Sequence, residues 1–131
     1  MNKGWIGVDF DGTLANYDHW RGVEHVGAPI ERMCNRVRLW LADGKQVKIM
    51  TARVHGHSDD DLIKVSMPIW NFCYIEFGKI LDITCVKDMY MISLWDDRAV
   101  HVVPNTGMTL EEYSDYLTDE YEHIQTESLG Y

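Results

Sequence analysis

Two aspartates, separated by a single residue, lie at the end of an apolar run near the start of the chain. The run is WIGVDFDGTLANYD, residues 5–18, which is typical of a short buried strand followed by a turn. Asp9 and Asp11 fall where this strand should leave the core. Two carboxylates held this close raise each other's pKa unless a cation joins them. The pair therefore indicates either a solvated turn or a site that binds a cation.

Polar side chains also follow the next strand-like segments along the chain. These side chains are Thr51, Arg53, Lys87, Asp96 and Asp97. Ligands of an open parallel α/β sheet bind at the carboxyl ends of its strands, so we expect all of them to share one site with the first two aspartates. Surface charge with no function would be scattered among the loops instead.

The donor types at these strand ends favour phosphoryl transfer. Clustered carboxylate oxygens without His or Cys suit magnesium (Mg²⁺) rather than zinc. Mg²⁺ would neutralise the cluster and hold a phosphate oxygen. One carboxylate can then attack phosphorus, and a second can act as general acid and base. The Thr51 hydroxyl and the Lys87 ammonium would contact the phosphoryl oxygens.

The elements that must position these residues alternate between strands and helices. Such alternation predicts a mainly parallel sheet with right-handed crossovers. The five expected strands are Trp5–Phe10, Gln46–Met50, Ile83–Val86, Met91–Trp95 and Val100–Val103. We therefore expect an α/β fold, built as a single Rossmann-like domain of three layers over residues 1–131.

Three helices are expected between and after these strands. The first ends at the stop signal Asp43–Gly44. The second begins after the N-cap residue Ser58, and Pro68 should kink or split it. The last, over about residues 109–126, begins with a capping box from Thr109 to Glu112.

The composition is that of an ordinary globular protein, with 46% apolar and 25% charged residues. No apolar run approaches the roughly 18 to 20 residues of a membrane span, and no signal peptide precedes the first strand. We therefore expect a cytoplasmic protein without a membrane partner. The three cysteines are odd in number and lack CxxC spacing, so reduced thiols are expected.

The net charge of −9 bears on the choice of partner. A general nucleic-acid binder needs a basic surface, so no extended nucleic-acid track is expected. An anionic substrate is still compatible with the acidic chain, because a bound divalent cation reverses the local field of an acidic site.

Four short segments together resemble the motifs of the haloacid dehalogenase-like (HAD) superfamily of phosphatases. They are DFDGTL, IMTAR, ITCVKD and LWDDRA, and they follow one another in the order of the family's motifs over residues 5–99. DFDGTL matches the first motif, DxDGT, and IMTAR matches the apolar strand ending in Thr or Ser of the second. Lys87 fits the lysine of the third motif, and LWDDRA fits the acidic fourth motif.

This resemblance implies a role for each matched residue. Asp9 would be the nucleophile that becomes phosphorylated, and Asp11 would be the general acid and base. The Asp9 carboxylate, the Asp11 backbone carbonyl and Asp97 would bind Mg²⁺, with Asp96 either sharing the metal or lying behind Asp97. The aspartate at the second position of the first motif implies hydrolysis of phosphate esters rather than dehalogenation. The resemblance thus predicts a phosphatase that works through an aspartyl-phosphate.

The resemblance also implies a member without a cap domain, because residues 13–29 and 55–83 are too few to form one. An open site suits a substrate too large to enclose, such as a protein or a polynucleotide end. It equally suits a homo-oligomer in which a neighbouring copy covers the site.

Two arginines bear on the substrate. Arg53 in the second motif and Arg21 after the first are similar to arginines in the phosphatase domain of viral polynucleotide kinase/phosphatases. We therefore expect the terminal phosphate of a nucleotide or a nucleic acid as substrate. A small non-nucleotide metabolite or a phosphoprotein is an alternative substrate. A second alternative is a non-catalytic module that keeps the HAD fold and binds a phosphorylated partner.

Further residues are candidates for substrate contacts because they adjoin the motifs. They are Gly12, Thr13, Ala52 and His55. Trp20 is another candidate, since its loop should rim the site. The tryptophans expected to pack against the core instead are Trp40, Trp70 and Trp95.

Overall fold

The computed structural model describes residues 4–128, with side chains through residue 127. The chain divides after Asp97 into two compact units. The first unit contains, in chain order, strand β1 (Trp5–Asp9), helix α1 (Glu31–Ala42), strand β2 (Gln46–Met50), a 3₁₀ turn (Ala52–Val54), helix α2 (Asp59–Phe77), strand β3 (Asp82–Thr84) and strand β4 (Met91–Trp95). The second unit contains helix α3 (Leu110–Ser128).

The sheet has four parallel strands in the order β3-β2-β1-β4. β1 lies in the interior of the sheet, where Val8 pairs with Ile49 of β2 on one side and with Trp95 of β4 on the other. Because every strand runs the same way, all four carboxyl ends lie at one edge of the sheet. The predicted α/β fold with a parallel sheet is confirmed.

The prediction of five strands is wrong, because the described residues form a sheet of only four. The expected fifth strand, Val100–Val103, makes a single isolated bridge from Val102 to Thr109. The chain folds back on itself here, with Val103 N donating to Met108 O at 2.8 Å. β-Branched residues gave this segment a strand signal, but strand formation also requires a partner, and here the partner is a tight turn.

Residues on both sides of the central strand form the core. Val8 and Phe10 are fully buried, and the Phe10 ring packs edge-on against Phe72 of α2 at 5.1 Å between centroids. Cys34 and Val37 of α1 complete this part of the core. A strand covered on both faces reads as a continuous apolar run, which is why the segment before Asp9 shows no alternation. Asp9 is therefore the last residue of a strand that is otherwise buried.

The caps of the helices follow the predicted chemistry. Ser58 Oγ accepts from Asp61 N at the start of α2, and α2 continues unsplit through Pro68. In the second unit, Thr109 Oγ1 accepts from Glu112 N, and the Glu112 carboxylate accepts from Thr109 N. The predicted N-cap and capping box are thus confirmed.

Neither a membrane span nor a disulfide is found in residues 4–128. None of the helices is both long enough and apolar enough to cross a lipid bilayer. Cys34, Cys73 and Cys85 are unpaired. Burial raises the pKa of Cys34 and of Cys73 to about 11, so both are protonated, unreactive thiols at neutral pH.

Candidate functional site

Three carboxylates meet at the carboxyl edge of the sheet. One oxygen from each of Asp9, Asp96 and Asp97 lies within 4.8 Å of the others. The strand pairing explains this arrangement, because Val8 of β1 is in register with Trp95 of β4. Asp9, the last residue of β1, therefore comes beside Asp96, the first residue after β4. Among the described residues, this is the group of acidic side chains suited to holding a metal ion.

The electrostatics of this cluster centre on Asp9. Burial raises the pKa of Asp9 to about 7, with further increases from a hydrogen bond to the Asp97 side chain and from the negative charge of Asp96. A proton or a cation is therefore needed to hold the three groups together. The donor set consists of oxygen alone, which fits a hard divalent cation such as Mg²⁺.

Thr13 braces the cluster from one side. Its Oγ1 lies 3.3 Å from Asp9 Oδ2 and 3.2 Å from Asp97 Oδ1, so its single proton can be donated to either carboxylate. The same oxygen accepts from the backbone N–H of Asp97 at 3.2 Å. Thr13 thereby connects the turn after β1 to the turn after β4.

Gly12 allows this turn to pass beside Asp97. Its φ is +86°, a left-handed conformation that residues with a side chain rarely adopt. A Cβ at this position would lie 2.7 Å from Asp97 Oδ2. The glycine of DFDGTL is thus required by the approach of the backbone to the carboxylate cluster.

Asp11 lies in a different environment from Asp9. Its two carboxylate oxygens accept hydrogen bonds from Arg53 Nε and Nη2, each at 2.7 Å. The Arg53 side chain is 5% exposed and the Asp11 side chain 20%. This fork-shaped pairing is the strongest geometry available to a guanidinium and a carboxylate.

Arg53 also fastens the loop of residues 16–27 to the site. Its Nη1 donates to Val23 O at 3.1 Å, and its Nη2 donates to His25 O at 3.0 Å. Its backbone carbonyl lies 3.0 Å from Nε2 of His57, which donates to it when that nitrogen carries the proton. One buried side chain therefore joins the turn after β1, the 3₁₀ turn and the loop.

The base of this loop is closed by backbone pairing. Asn16 N donates to Ala28 O and Ile30 N donates to Leu14 O, both at 2.8 Å. A Cβ on Gly27 would lie 1.9 Å from Asn16 O, so this close passage also requires glycine. The loop is anchored at its base by this pairing and at its far side by Arg53.

The other residues that the sequence predicts for the site lie at or near the same edge of the sheet, but they differ in burial and in hydrogen bonding. Thr51 is buried, and its Oγ1 accepts from Arg53 N at 3.2 Å, which caps the 3₁₀ turn. Lys87 is exposed three residues beyond β3. Ala52 and His55 are exposed on and just after the 3₁₀ turn.

Arg21 pairs with a carboxylate of its own loop. Its guanidinium pairs with Asp18 at 2.7 Å on the surface of the loop. The pKa of Asp18 is lowered first by the hydrogen bond from the His19 backbone and then by Arg21. The structure thus brings Arg53, but not Arg21, to the turn that carries Asp11.

Sequence reasoning missed three groups that shape the site. The carbonyls of Val23 and His25 hold Arg53, and the His57 ring contacts its backbone. The type of a residue does not show where its backbone carbonyl points, so the sequence contains no signal for these contacts. Gly27 signals only the close passage of the backbone beside Asn16 O.

Comparisons with protein-family models, curated proteins and solved structures found no match to this chain.

Proposed function

We propose that the protein is a Mg²⁺-dependent phosphomonoester hydrolase of the HAD type without a cap domain. The observation that carries this proposal is the cluster formed by Asp9 at the end of β1 with Asp96 and Asp97 just after β4. Asp11 lies two residues beyond Asp9. The order of the four HAD-like motifs along the chain supports it. The proposal includes a Rossmann-like fold of three layers, as in the HAD superfamily.

The carboxylates of Asp9, Asp96 and Asp97 and the backbone carbonyl of Asp11 would hold the metal. Bound there, Mg²⁺ supplies positive charge that offsets the carboxylates and the phosphoryl oxygens. The raised pKa of Asp9 supports this assignment, because a carboxylate that is costly to ionise alone becomes easier to ionise beside a cation.

Asp9 would be the nucleophile. Its carboxylate oxygen forms a bond to phosphorus while the bond from phosphorus to the leaving-group oxygen breaks, and that oxygen takes a proton from Asp11. In the second half-reaction, water gives a proton to Asp11 and attacks the phosphorus. The bond to Asp9 then breaks, which releases phosphate and restores both aspartates.

The pairing of Asp11 with Arg53 is weakened when Asp11 carries the proton that it transfers. Both of its oxygens accept from the guanidinium at 2.7 Å. A protonated carboxyl group is a weaker acceptor than a carboxylate, so protonation on the second lone pair of either oxygen weakens these hydrogen bonds and allows one of them to be exchanged. The N–H group released in that exchange can donate to a phosphoryl oxygen instead. This exchange would give Arg53 the substrate contact that the sequence predicts, together with Thr51 and Lys87.

A second candidate is a non-catalytic module that binds a phosphorylated partner through the metal. The observation in its favour is the same Arg53 pairing, which occupies the aspartate that a phosphatase needs for proton transfer. Against it, a module that only binds has no need for an aspartate at both positions of DFDGTL. The hydrolase is therefore the better supported of the two.

A phosphate-release assay on a panel of phosphomonoesters tests the proposal, with Mg²⁺ and with EDTA. Asp9→Asn should lower turnover by about a thousandfold or more, because the amide is a poor nucleophile. Asp82→Asn is the matched control, since Asp82 is exposed at the amino end of β3. Full activity of Asp9→Asn, or activity unaffected by EDTA, would contradict the mechanism. Phosphoester binding without release would favour the module.

A further inference from the structure

Trp20 is a large aromatic side chain that remains 51% exposed. It lies in the loop of residues 16–27, where its indole ring is stacked over the Arg53 guanidinium at 4.9 Å from the ring centroid. Arg53 in turn binds both carboxylate oxygens of Asp11. The indole is thus two contacts away from the side chain that handles the proton in the proposed reaction.

The position of this ring is defined by the contacts around it. Arg53 fills the space beneath the indole, and its donors bind Val23 O and His25 O of the same loop. A cation over an aromatic face is favourable, and here the cation is itself almost fully buried. A ring held in this way loses little further freedom when something binds to it.

Trp20 does not belong to the hydrophobic core. Its neighbours in the loop, Tyr17, Asp18, His19 and Arg21, are all exposed, and the core cluster lies elsewhere. Covering Arg53 requires only one face of the indole. About half of the surface of the side chain is left in contact with solvent beside the site.

We propose that this exposed surface of Trp20 is a stacking platform for a planar aromatic group on the leaving-group side of the substrate, of the kind a nucleobase presents. The inference rests on the proposed function, whose site binds the phosphate. Stacking on an indole needs no hydrogen-bond pattern, so the platform would accept any base. It would also give a local grip on a nucleotide or a nucleic-acid end without a basic track, in keeping with the acidic chain.

The test compares two phosphate esters that differ only in the base, adenosine 5′-monophosphate and ribose 5-phosphate. The first readout is the ratio of their kcat/KM values for phosphate release with Mg²⁺. The second is the ratio of their dissociation constants with Mg²⁺ in an Asp9→Asn background, which cannot form the phosphoenzyme. Trp20→Leu removes the aromatic face, and Trp20→Phe keeps one. Tyr17→Leu is the matched control, because Tyr17 is an exposed aromatic residue of the same loop.

We expect the wild type to prefer the nucleotide and Trp20→Leu to reduce that preference roughly five- to a hundredfold. Trp20→Phe should retain most of the preference, and Tyr17→Leu should retain all of it. Equal losses on both esters in Trp20→Leu would assign Trp20 to supporting Arg53 and would overturn the platform. Equal affinity of the wild type for both esters would overturn it too.

The two proposals fail in different ways. If neither ester is hydrolysed but the binding preference disappears in Trp20→Leu, the platform is correct and the hydrolase is wrong. If both esters are hydrolysed with the same ratio in the wild type and in Trp20→Leu, the hydrolase stands and the platform is wrong.

Discussion

Asp9 and Asp11 are separated by a single residue in the chain, yet their charged neighbours have opposite signs. Asp9 lies against two other carboxylates, and its pKa is raised to about 7 by burial and by those neighbours. Asp11 faces a buried guanidinium that binds both of its oxygens. The turn at Gly12 thus separates an aspartate that lies beside two other carboxylates from one that is paired with a buried guanidinium.

In the proposed reaction, this difference would allow one short motif to supply two functions. A carboxylate crowded by like charges attracts a cation and is available to attack phosphorus once that cation is bound. A carboxylate held by an arginine is fixed in orientation and is kept apart from the cluster. Exchanging these environments would remove both properties, so the comparison can be tested one aspartate at a time.

The largest effect is expected at the Asp11 side of the comparison. Asp11→Asn keeps the shape of the side chain but cannot donate a proton to the leaving group. For alkyl phosphates, whose leaving groups need that proton, kcat/KM should fall by about a hundredfold to ten-thousandfold. For aryl phosphates with acidic leaving groups the loss should be much smaller. We compare kcat/KM because it reports the step in which the leaving group departs.

Equal losses on the two ester classes would contradict the role of Asp11 as an acid. Asp82→Asn serves again as the matched control, because it makes the same chemical change at the opposite edge of the sheet. Asp11→Asn leaves the buried Arg53 guanidinium without its counter-charge and should itself lower thermal stability, so the assays are run at a temperature where the variant is folded, and the difference between the two ester classes reports the reaction.

The next effect concerns the arginine that distinguishes the two aspartates. Arg53→Gln should lower the free energy of unfolding by about 3 kcal/mol, because it leaves Asp11 without its counter-charge and frees the carbonyls of Val23 and His25. We take the lower end of the usual range, since the Asp11 side chain is 20% exposed and water compensates part of the loss. Chemical denaturation measures the change.

The exposed pair of the same loop provides the control for that measurement. Arg21 and Asp18 are equally close at 2.7 Å but lie on the surface, where solvent screens the pair, so Arg21→Gln should change stability much less than Arg53→Gln does. The double variant Arg53→Gln/Asp11→Asn should be more stable than Arg53→Gln alone, because the unpaired charge is removed. If Arg53→Gln costs no more than Arg21→Gln, Arg53 does not hold the loop to the site.

The part of the fold and site that follows from strand ends could be predicted from sequence. The apolar run before Asp9 and the strand before Asp96 are local patterns, and parallel pairing places their ends together. The prediction of a strand at Val100–Val103 was wrong because the local pattern does not show which segment would pair with it. A run of β-branched residues states a preference, but whether a strand forms depends on a neighbour that the local pattern does not specify.

The pairing of Asp11 with Arg53 could not be predicted, although both residues stood among the candidates. The direction of the Asp11 side chain depends on the left-handed turn at Gly12, and Arg53 is held by backbone carbonyls that any residue would supply. Sequence spacing placed both residues at the correct edge of the sheet. The spacing does not show which of the carboxylates Arg53 would bind.

The smallest effect is expected from Asp97→Asn, which removes a charge beside Asp9. Without metal this variant should be stabilising, whereas loss of the charge that pairs with Asp11 should be destabilising. The pKa of Asp9 in the folded protein is about 7, above its ordinary value of 3.8, so the folded state binds this proton more tightly than the unfolded chain. Stability without metal must therefore fall as the pH rises through this interval. The amide that replaces the Asp97 carboxylate removes one repelling charge, and its oxygen can still accept from Thr13.

Without metal and above pH 7, Asp97→Asn should be more stable than the wild type by about 1 kcal/mol, since the Asp97 charge is only one of several causes of the raised pKa of Asp9. Below that pH the difference should shrink, because Asp9 is then protonated in the wild type. Excess Mg²⁺ should reverse the order, since the wild type keeps three carboxylates for the cation and the variant keeps two. Thermal unfolding at both pH values, with Mg²⁺ and with EDTA, measures all four cases. If Asp97→Asn is destabilising without metal, or gains as much from Mg²⁺ as the wild type, the cluster is not a cation site and the contrast with Asp11 disappears.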